Sequence, residues 1–450
     1  MKSKKHDFTE GNILKQLFLF SGPIIFANLL QVSYQFIDSL WVGNLIGANA
    51  LGSVAVSGTV IFTMLSFIIG INNATLTILS QQKGKGDGEG LKRYVNAFVI
   101  MLFLMSAVLG SVAFFFAEPI LVLLGTPETL MDEARTYLQI NAVGVFFLTG
   151  YNFIGAVLRA LGDSQTPLRF VAIAVLLNTV LDPLFISVFG LGVQGAAVST
   201  ILSQGLSFLF GVVYVLKRKL VPFSVPVIPA KEEVFVILKL GIPSGLQMSV
   251  ISAGSAAIMS VVTSFGEDVV AGFSAAQRLD SLLMLPAHAL GIAVTSMAGQ
   301  NIGKGKWERV GRIAKYGLLY NLSVMFLIAI LLVLFGEYGV RLFIQEEAAV
   351  QFGSTYLKTV GLFYPFLGIN FILNGVVRAS GAMYQVLVLN LISFWVLRYP
   401  LSDLVSSWMG EEGIAYGIGI SFILSSFVAM GYYRFGKWRD IQLFKEKKDE

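Results

Sequence analysis

SYQFIDSLWVG, residues 33–43, sets a carboxylate inside an apolar run, and its surroundings decide the fold. Between Lys15 and Lys83 the only charged side chain is Asp38. The run around it, about 15–40, is long enough to cross a hydrocarbon layer of about 30 Å as a helix, and longer than the apolar core of a cleavable signal. It reads as a retained anchor, the first of many.

Working outward, 55% of the 450 residues are hydrophobic, 13% are charged and 36 are Phe, which suits lipid contact better than a water-soluble core. About twelve apolar runs recur, near 15–40, 52–80, 93–117, 133–158, 167–187, 192–215, 235–262, 270–299, 313–334, 355–377, 384–404 and 413–434. The expectation is an all-α polytopic membrane protein. The absence of cysteine excludes disulfide and thiolate chemistry and fits a bacterial cytoplasmic membrane. The net charge of +5 reflects bases beside the spans rather than a nucleic-acid surface.

Lys and Arg crowd alternate connections: Lys2 to Lys5, Lys83 to Arg93, Arg159 to Arg169, Lys217 to Lys231, Lys304 to Lys315 and Arg434 to Lys448. The connections between them carry Glu118, Glu128, Asp132, Glu133, Glu267, Asp268, Glu346, Glu347, Glu411 and Glu412. This alternation predicts an even number of spans and both termini in the cytoplasm. KRKLVPFSVPVIPAKEE (217–233), with three prolines and a charged end, reads as a cytoplasmic linker. The expected organisation is a first six-helix bundle over 1–219, a linker over 220–232, and a second bundle with a charged tail over 233–450.

The two halves repeat. TYL (136–138, 355–357), LRALG (158–162) against VRASG (377–381), and QQKGKG (81–86) against QNIGKG (300–305) all share one displacement, 219, and Pro23 and Pro243 stand 220 apart. Six spans per unit return the chain to its starting side, so the units should be related by an axis along the membrane normal, with a cleft between two bundles.

A charge near the bilayer centre costs about 2.5–3.5 kcal/mol on insertion scales, so Asp38 needs polar company. Gln31, Tyr34 and Asp38 form a stripe on one helix face. In LLNTVLDPLFISVFG (176–190) Asn178 and Asp182 share a face, and Pro183 should kink the helix. Asn141, Asn152 and Thr200 add polar groups on the fourth and sixth spans, where the alternative is simple helix-to-helix hydrogen bonding. Two buried carboxylates would titrate as a coupled pair and could hold a proton or a cation.

Other features are weaker. Asp280 reads as an ion pair with Arg278 near a helix end, and His288 reads as structural or as a proton relay. GKGDGEG (84–90) lacks the Lys-Ser/Thr ending of a phosphate-binding loop, and no nucleotide motif appears, so an ion gradient would have to power transport. Two histidines and no nucleophile-and-base pair argue against a membrane-embedded enzyme. No mid-span cation stands out, which argues against a flippase for lipid-linked sugars, whose cavity should hold a pyrophosphate.

Across nearly its whole length the chain resembles the multidrug and toxic compound extrusion (MATE) family, prokaryotic DinF branch. The resemblance is carried by GPIIFANLLQVSYQFIDSLWVGNLIGANALG (22–52), LNTVLDPLFISVFGLGVQGAAVST (177–200) and the paired borders at 81–86 and 300–305. It implies twelve spans around a V-shaped cleft and export of lipophilic organic cations by a monomer that needs no cofactor. Asp38 and Asp182 would carry the coupling ion, supported by Tyr34, Asn152, Asn178 and Thr200, with Gln31 beside the cargo. A sodium ion at Asp38, Asn178, Asp182 and Thr200 is the alternative to protons. The NorM-like branch has a glutamate in the seventh span, and that position falls near Ile251 here, which favours coupling through the first bundle.

Overall fold

The computed structural model describes residues 7–223 and 226–444, except for the side chain of residue 48. Lys2, Lys4, Lys5, His6, part of the linker and the tail beyond Phe444 lie outside the described residues. Every regular element among the described residues is helical. Eleven helices are long and apolar enough to cross a membrane: Ile13–Leu45, Asn49–Lys85, Gly88–Phe115, Glu128–Ala160, Gln165–Val188, Gly192–Lys217, Lys231–Thr263, Glu267–Gly303, Trp307–Arg341, Met383–Met409 and Glu412–Phe435. The tenth span in chain order is a pair, Glu347–Gly361 and Tyr364–Ala379, bent by 55°, and brings the total to twelve.

Each span expected from hydropathy is present, most of them longer than the apolar run. Charged side chains end a hydropathy window but not a helix, because Lys, Glu and Arg are good helix formers. The bend in the tenth span follows from Pro365, which has no N–H to give to the carbonyl of Gly361. A short helix, Ala117–Leu123, fills an acidic connection and has no counterpart in the sequence reading.

The surface is built for lipid. Phe18 is 63% exposed, Phe326 63%, Leu123 87% and Trp408 77%. Helix-to-helix contacts, by contrast, use small and hydroxyl side chains, which let backbones approach closely. Ser57 donates to the carbonyl of Ala134 at 2.8 Å, joining the second and fourth spans. Ser207 donates to the carbonyl of Phe170 at 2.7 Å, joining the fifth and sixth.

The chain divides into two compact units. The first contains Pro23–Ile242; the second contains Asp7–Gly22 and the chain from Pro243 on. Both changeovers fall inside helices, at the prolines of the first and seventh spans. In the first unit the linker is pinned by Asn96, which donates to the carbonyl of Val227 at 2.6 Å and accepts from its N–H at 3.0 Å. In the second unit Arg309 donates to the carbonyls of Phe8, Glu10 and Gly11 at 3.0, 2.7 and 2.9 Å.

The repeat has a conformational signature. Gly86 and Gly305 end their helices at φ 74° and 73°, and Gly162 and Gly381 stand at 89° and 95°. Both pairs are 219 residues apart (305 − 86, 381 − 162). Left-handed backbone that only glycine adopts freely therefore recurs at the displacement of the sequence motifs.

The fifth span of each unit is interrupted in a similar way. After Pro183 the helix continues as a π-helical turn, Leu184–Val188. In the eleventh span a π-helical stretch, Ile392–Arg398, precedes Pro400. Proline withholds an N–H and crowds the preceding turn, and the wider π turn relieves both.

Candidate functional site

The first unit encloses a cavity of about 410 Å³. Gln31, Tyr34 and Asp38 of the first span line it, with Tyr137, Asn141 and Asn152 of the fourth and Thr200 of the sixth. The stripe expected on the first span therefore faces a cavity. Asp38 is buried, and its Oδ1 has no hydrogen-bond partner. The Tyr34 hydroxyl is likewise buried, beside Thr200. Gln31 is exposed, at the cavity margin.

Asp182 and Asn178 are fully buried on the fifth span. The Asn178 amide donates to Asp182 Oδ1 at 2.8 Å and to Ser199 Oγ at 3.3 Å, and the Ser199 hydroxyl donates to the same Asp182 oxygen. Asp182 Oδ2 and Asn178 Oδ1 have no partner. Asp182 lies within electrostatic range of Asp38, and Tyr137 lies within range of both. The structure thus gathers the two acids, which are 144 residues apart in the chain (182 − 38).

The local sequence explains this placement. Gly195, on the sixth span, has so little room that a Cβ there would stand 2.7 Å from the carbonyl of Phe185 in the π turn. That close approach brings Ser199, one turn further on, to Asp182. Tyr137 is held in the apolar cluster of Val42, Ile186, Val193, Ala196 and Ala197.

Asn152 and Asn141 donate back along their own helix, to the carbonyls of Leu148 at 2.8 Å and Tyr137 at 2.9 Å. Both residues line the cavity. Asp38 Oδ1, Asp182 Oδ2 and Asn178 Oδ1 are buried acceptors with no protein donor. Among the described residues no group of three or more His, Cys, Asp or Glu is arranged to hold a metal ion.

Sequence reasoning missed Ser199 and Tyr137. Ser199 sits in a run of small residues that reads as packing, and Tyr137 registered only as part of the TYL repeat. Two further readings need correction. Arg278 makes no ion pair with Asp280; its guanidinium lies 5.8 Å from the Phe343 ring, and Asp280 accepts from the Tyr364 hydroxyl. The spans are also not free of cations, because the half-buried Arg398, its Nε fully covered, lies inside the eleventh. A window average conceals one arginine among Phe, Trp, Val and Leu. His288 lies 4.4 Å from the Phe371 ring.

Twelve apolar spans, with a cavity in the first unit lined by the buried carboxylate of Asp38, fit a multi-pass membrane transporter. A family model for MatE matches residues 23–184 and 243–404, two copies 220 residues apart (243 − 23) that begin at the prolines where the compact units change over. The chain belongs to the MatE family, whose members are transporters and not enzymes. It is 62% identical over 444 residues to the probable multidrug resistance protein YpnP of Bacillus subtilis, covering 99% of this chain and 100% of that one. It is 25% identical to a protein of Shewanella oneidensis named FAD transporter, covering 93% and 94%. The crystal structure of a mutant of the Vibrio cholerae MATE transporter VcmN superposes with a TM-score of 0.91 at 23% identity, covering 96% of this chain and 98% of that one.

Proposed function

We propose that this protein is a secondary active multidrug exporter that carries lipophilic organic cations out of a bacterial cell in exchange for protons. In this reading, consistent with the DinF branch, Asp38 and Asp182 are the exchanging groups. The observation that carries it is the pair of buried carboxylates with unpartnered oxygens, Asp38 Oδ1 and Asp182 Oδ2, one of them lining the cavity. A structural hydrogen-bonding role would consume those oxygens.

Ionised, the two acids hold a cation whose apolar body fits the cavity, with Gln31 and Tyr34 beside it. Protonation from the outer side removes the attraction and the cargo leaves. The protons then leave toward the cytoplasm. Both ligands must discriminate between the two conformations for exchange to couple, and the break at Pro183 is the element whose repacking would do so. Exchange of one proton for a monovalent cation draws on the pH gradient alone, about 1.4 kcal/mol per unit. Exchange of two adds the membrane potential, about 2.3 kcal/mol per 100 mV.

The bases in alternate connections support a place in the cytoplasmic membrane with both termini inside, and we read the transporter as a monomer. Sodium in place of protons is the second reading, favoured by the unpartnered neutral oxygen of Asn178 beside Asp182. The relative named FAD transporter carries an anion by that name, so the charge of the cargo needs testing too.

The experiment is uptake of a fluorescent lipophilic cation by vesicles containing the purified protein, with a pH gradient or a sodium gradient imposed separately. Proton coupling predicts accumulation with the pH gradient in sodium-free buffer. Accumulation that requires sodium and ignores pH would replace the proton with sodium, and no accumulation under either gradient would defeat the exporter reading.

A further inference from the structure

The second unit holds a cation that the exchange at Asp38 and Asp182 does not use. Arg398 closes the π-helical stretch of the eleventh span, and its guanidinium lies 3.9 Å from the ring centroid of Phe394 and 4.7 Å from that of Phe422. Phe394 reaches this position because residue 254 is glycine; a Cβ there would stand 2.8 Å from the Phe394 Cβ.

The guanidinium makes no hydrogen bond and no ion pair within 4.0 Å among the described residues, and its Nε is buried without an acceptor. Asp280 is the acid within electrostatic range, but one of its oxygens accepts from the Tyr364 hydroxyl and neither comes within ion-pair distance. Its field offsets part of the arginine charge while leaving every N–H unused.

An arginine presents five N–H donors, and here the buried Nε lacks an acceptor, which is costly, while the terminal nitrogens of the half-buried side chain have no protein acceptor. Aromatic faces stabilise the positive charge but do not accept in-plane N–H groups. The edge of the guanidinium therefore remains free for a planar, two-oxygen acceptor. Carboxylate and phosphate have that geometry, and they bind such a fork with two parallel charge-assisted hydrogen bonds.

We propose that Arg398 is an anion-recognition site of the second unit that takes the carboxylate of an aromatic amphiphile. This rests on the exporter reading and widens its cargo from simple cations to zwitterions that bear a carboxylate. An anionic lipid phosphate offers similar chemistry, and the test separates the two.

The protein in nanodiscs of zwitterionic lipid is titrated by fluorescence anisotropy with two rhodamines, one a carboxylate ester and the other the free acid. The variants are Arg398→Lys, Arg398→Gln and the double substitution Asp280→Asn with Arg398→Gln, which removes both charges and leaves no orphaned carboxylate to impair folding. Affinity for the free acid is expected to fall roughly tenfold or more in both Gln-containing variants and less in Arg398→Lys, with the ester within about twofold of wild type throughout.

Equal losses for the two dyes would reduce Arg398 to a clamp between the eleventh and twelfth spans and overturn the proposal. So would affinities unchanged in all variants. Retention of phosphatidylglycerol by wild type but not by Arg398→Gln in native mass spectrometry, without dye discrimination, would assign the site to lipid and also overturn it. Transport of the ester dye under a pH gradient is followed in parallel. If it persists while discrimination fails, this proposal alone falls; if wild type transports neither dye, the exporter reading falls.

Discussion

Asn178 donates through its amide to Asp182 Oδ1 at 2.8 Å from one turn earlier on the same helix. Ser199 donates to the same oxygen, so one side of the carboxylate is held by the protein while Oδ2 is bare. A carboxylate saturated on both sides would be a fixed charge. One held on a single side can exchange its occupant without losing its position.

Ser199→Ala should therefore impair transport although it removes no ionisable group. A hydrogen bond to a charged acceptor contributes about 1.5–3 kcal/mol, so cation efflux at a fixed pH gradient should fall about tenfold or more. Ser199→Thr, which keeps the hydroxyl, should restore most of it. Efflux at the wild-type rate in Ser199→Ala, measured in vesicles at matched protein content, would remove Ser199 from the site.

Gly195→Ala tests the close approach of the sixth span to the π turn. The added methyl group would meet the backbone of Phe185 and Ile186, which cannot move aside as a side chain can. Overpacking of this kind costs about 1–3 kcal/mol. The thermal unfolding midpoint in detergent should drop by several degrees, and efflux should fall with it because Ser199 moves away from Asp182. An unshifted midpoint would show that the two backbones are not held this tightly.

Arg309→Ala should release the leading segment of the second unit. Arg309 donates to three backbone carbonyls there and, at 3.2 Å, to the side chain of Gln16. Lys304, Lys306 and Asn301 add further bonds to Thr9 and Phe8. Hydrogen exchange over residues 8–16 should accelerate several-fold, while the twelfth span exchanges as before. Unchanged protection of 8–16 would mean that Lys304, Lys306 and Asn301 suffice.

Much of this was legible in the sequence, for reasons specific to membranes. Water is excluded from the interior, so each span announces itself as an apolar run, and a lone acid such as Asp38 or Asp182 stands out. The duplication was legible because QQKGKG and QNIGKG, and LRALG and VRASG, mark glycine turns that both halves need. Less legible was anything set by small differences in local geometry. Pro183 predicts a disturbance but not its π-helical form, and Pro365 lies in a run that reads as continuous. Ser199 is one of many buried serines, and only its neighbour across the helix contact gives it a partner. Arg398 was missed because neither of its neighbouring rings is chemically informative until the twelfth span brings Phe422 against it.

The central claim is that Asp38 and Asp182 give up protons as they take cargo, and proton release on binding tests it most directly. A saturating amount of a lipophilic cation is added to purified protein in weakly buffered detergent with a pH indicator, for wild type, Asp38→Asn, Asp182→Asn and the double variant. Linkage between the two ligands predicts proton release by wild type, less from each single variant, and close to none from the double variant, whose weakened cation binding is measured alongside. Release from the double variant equal to that of wild type would contradict the account, because the protons would then come from other groups.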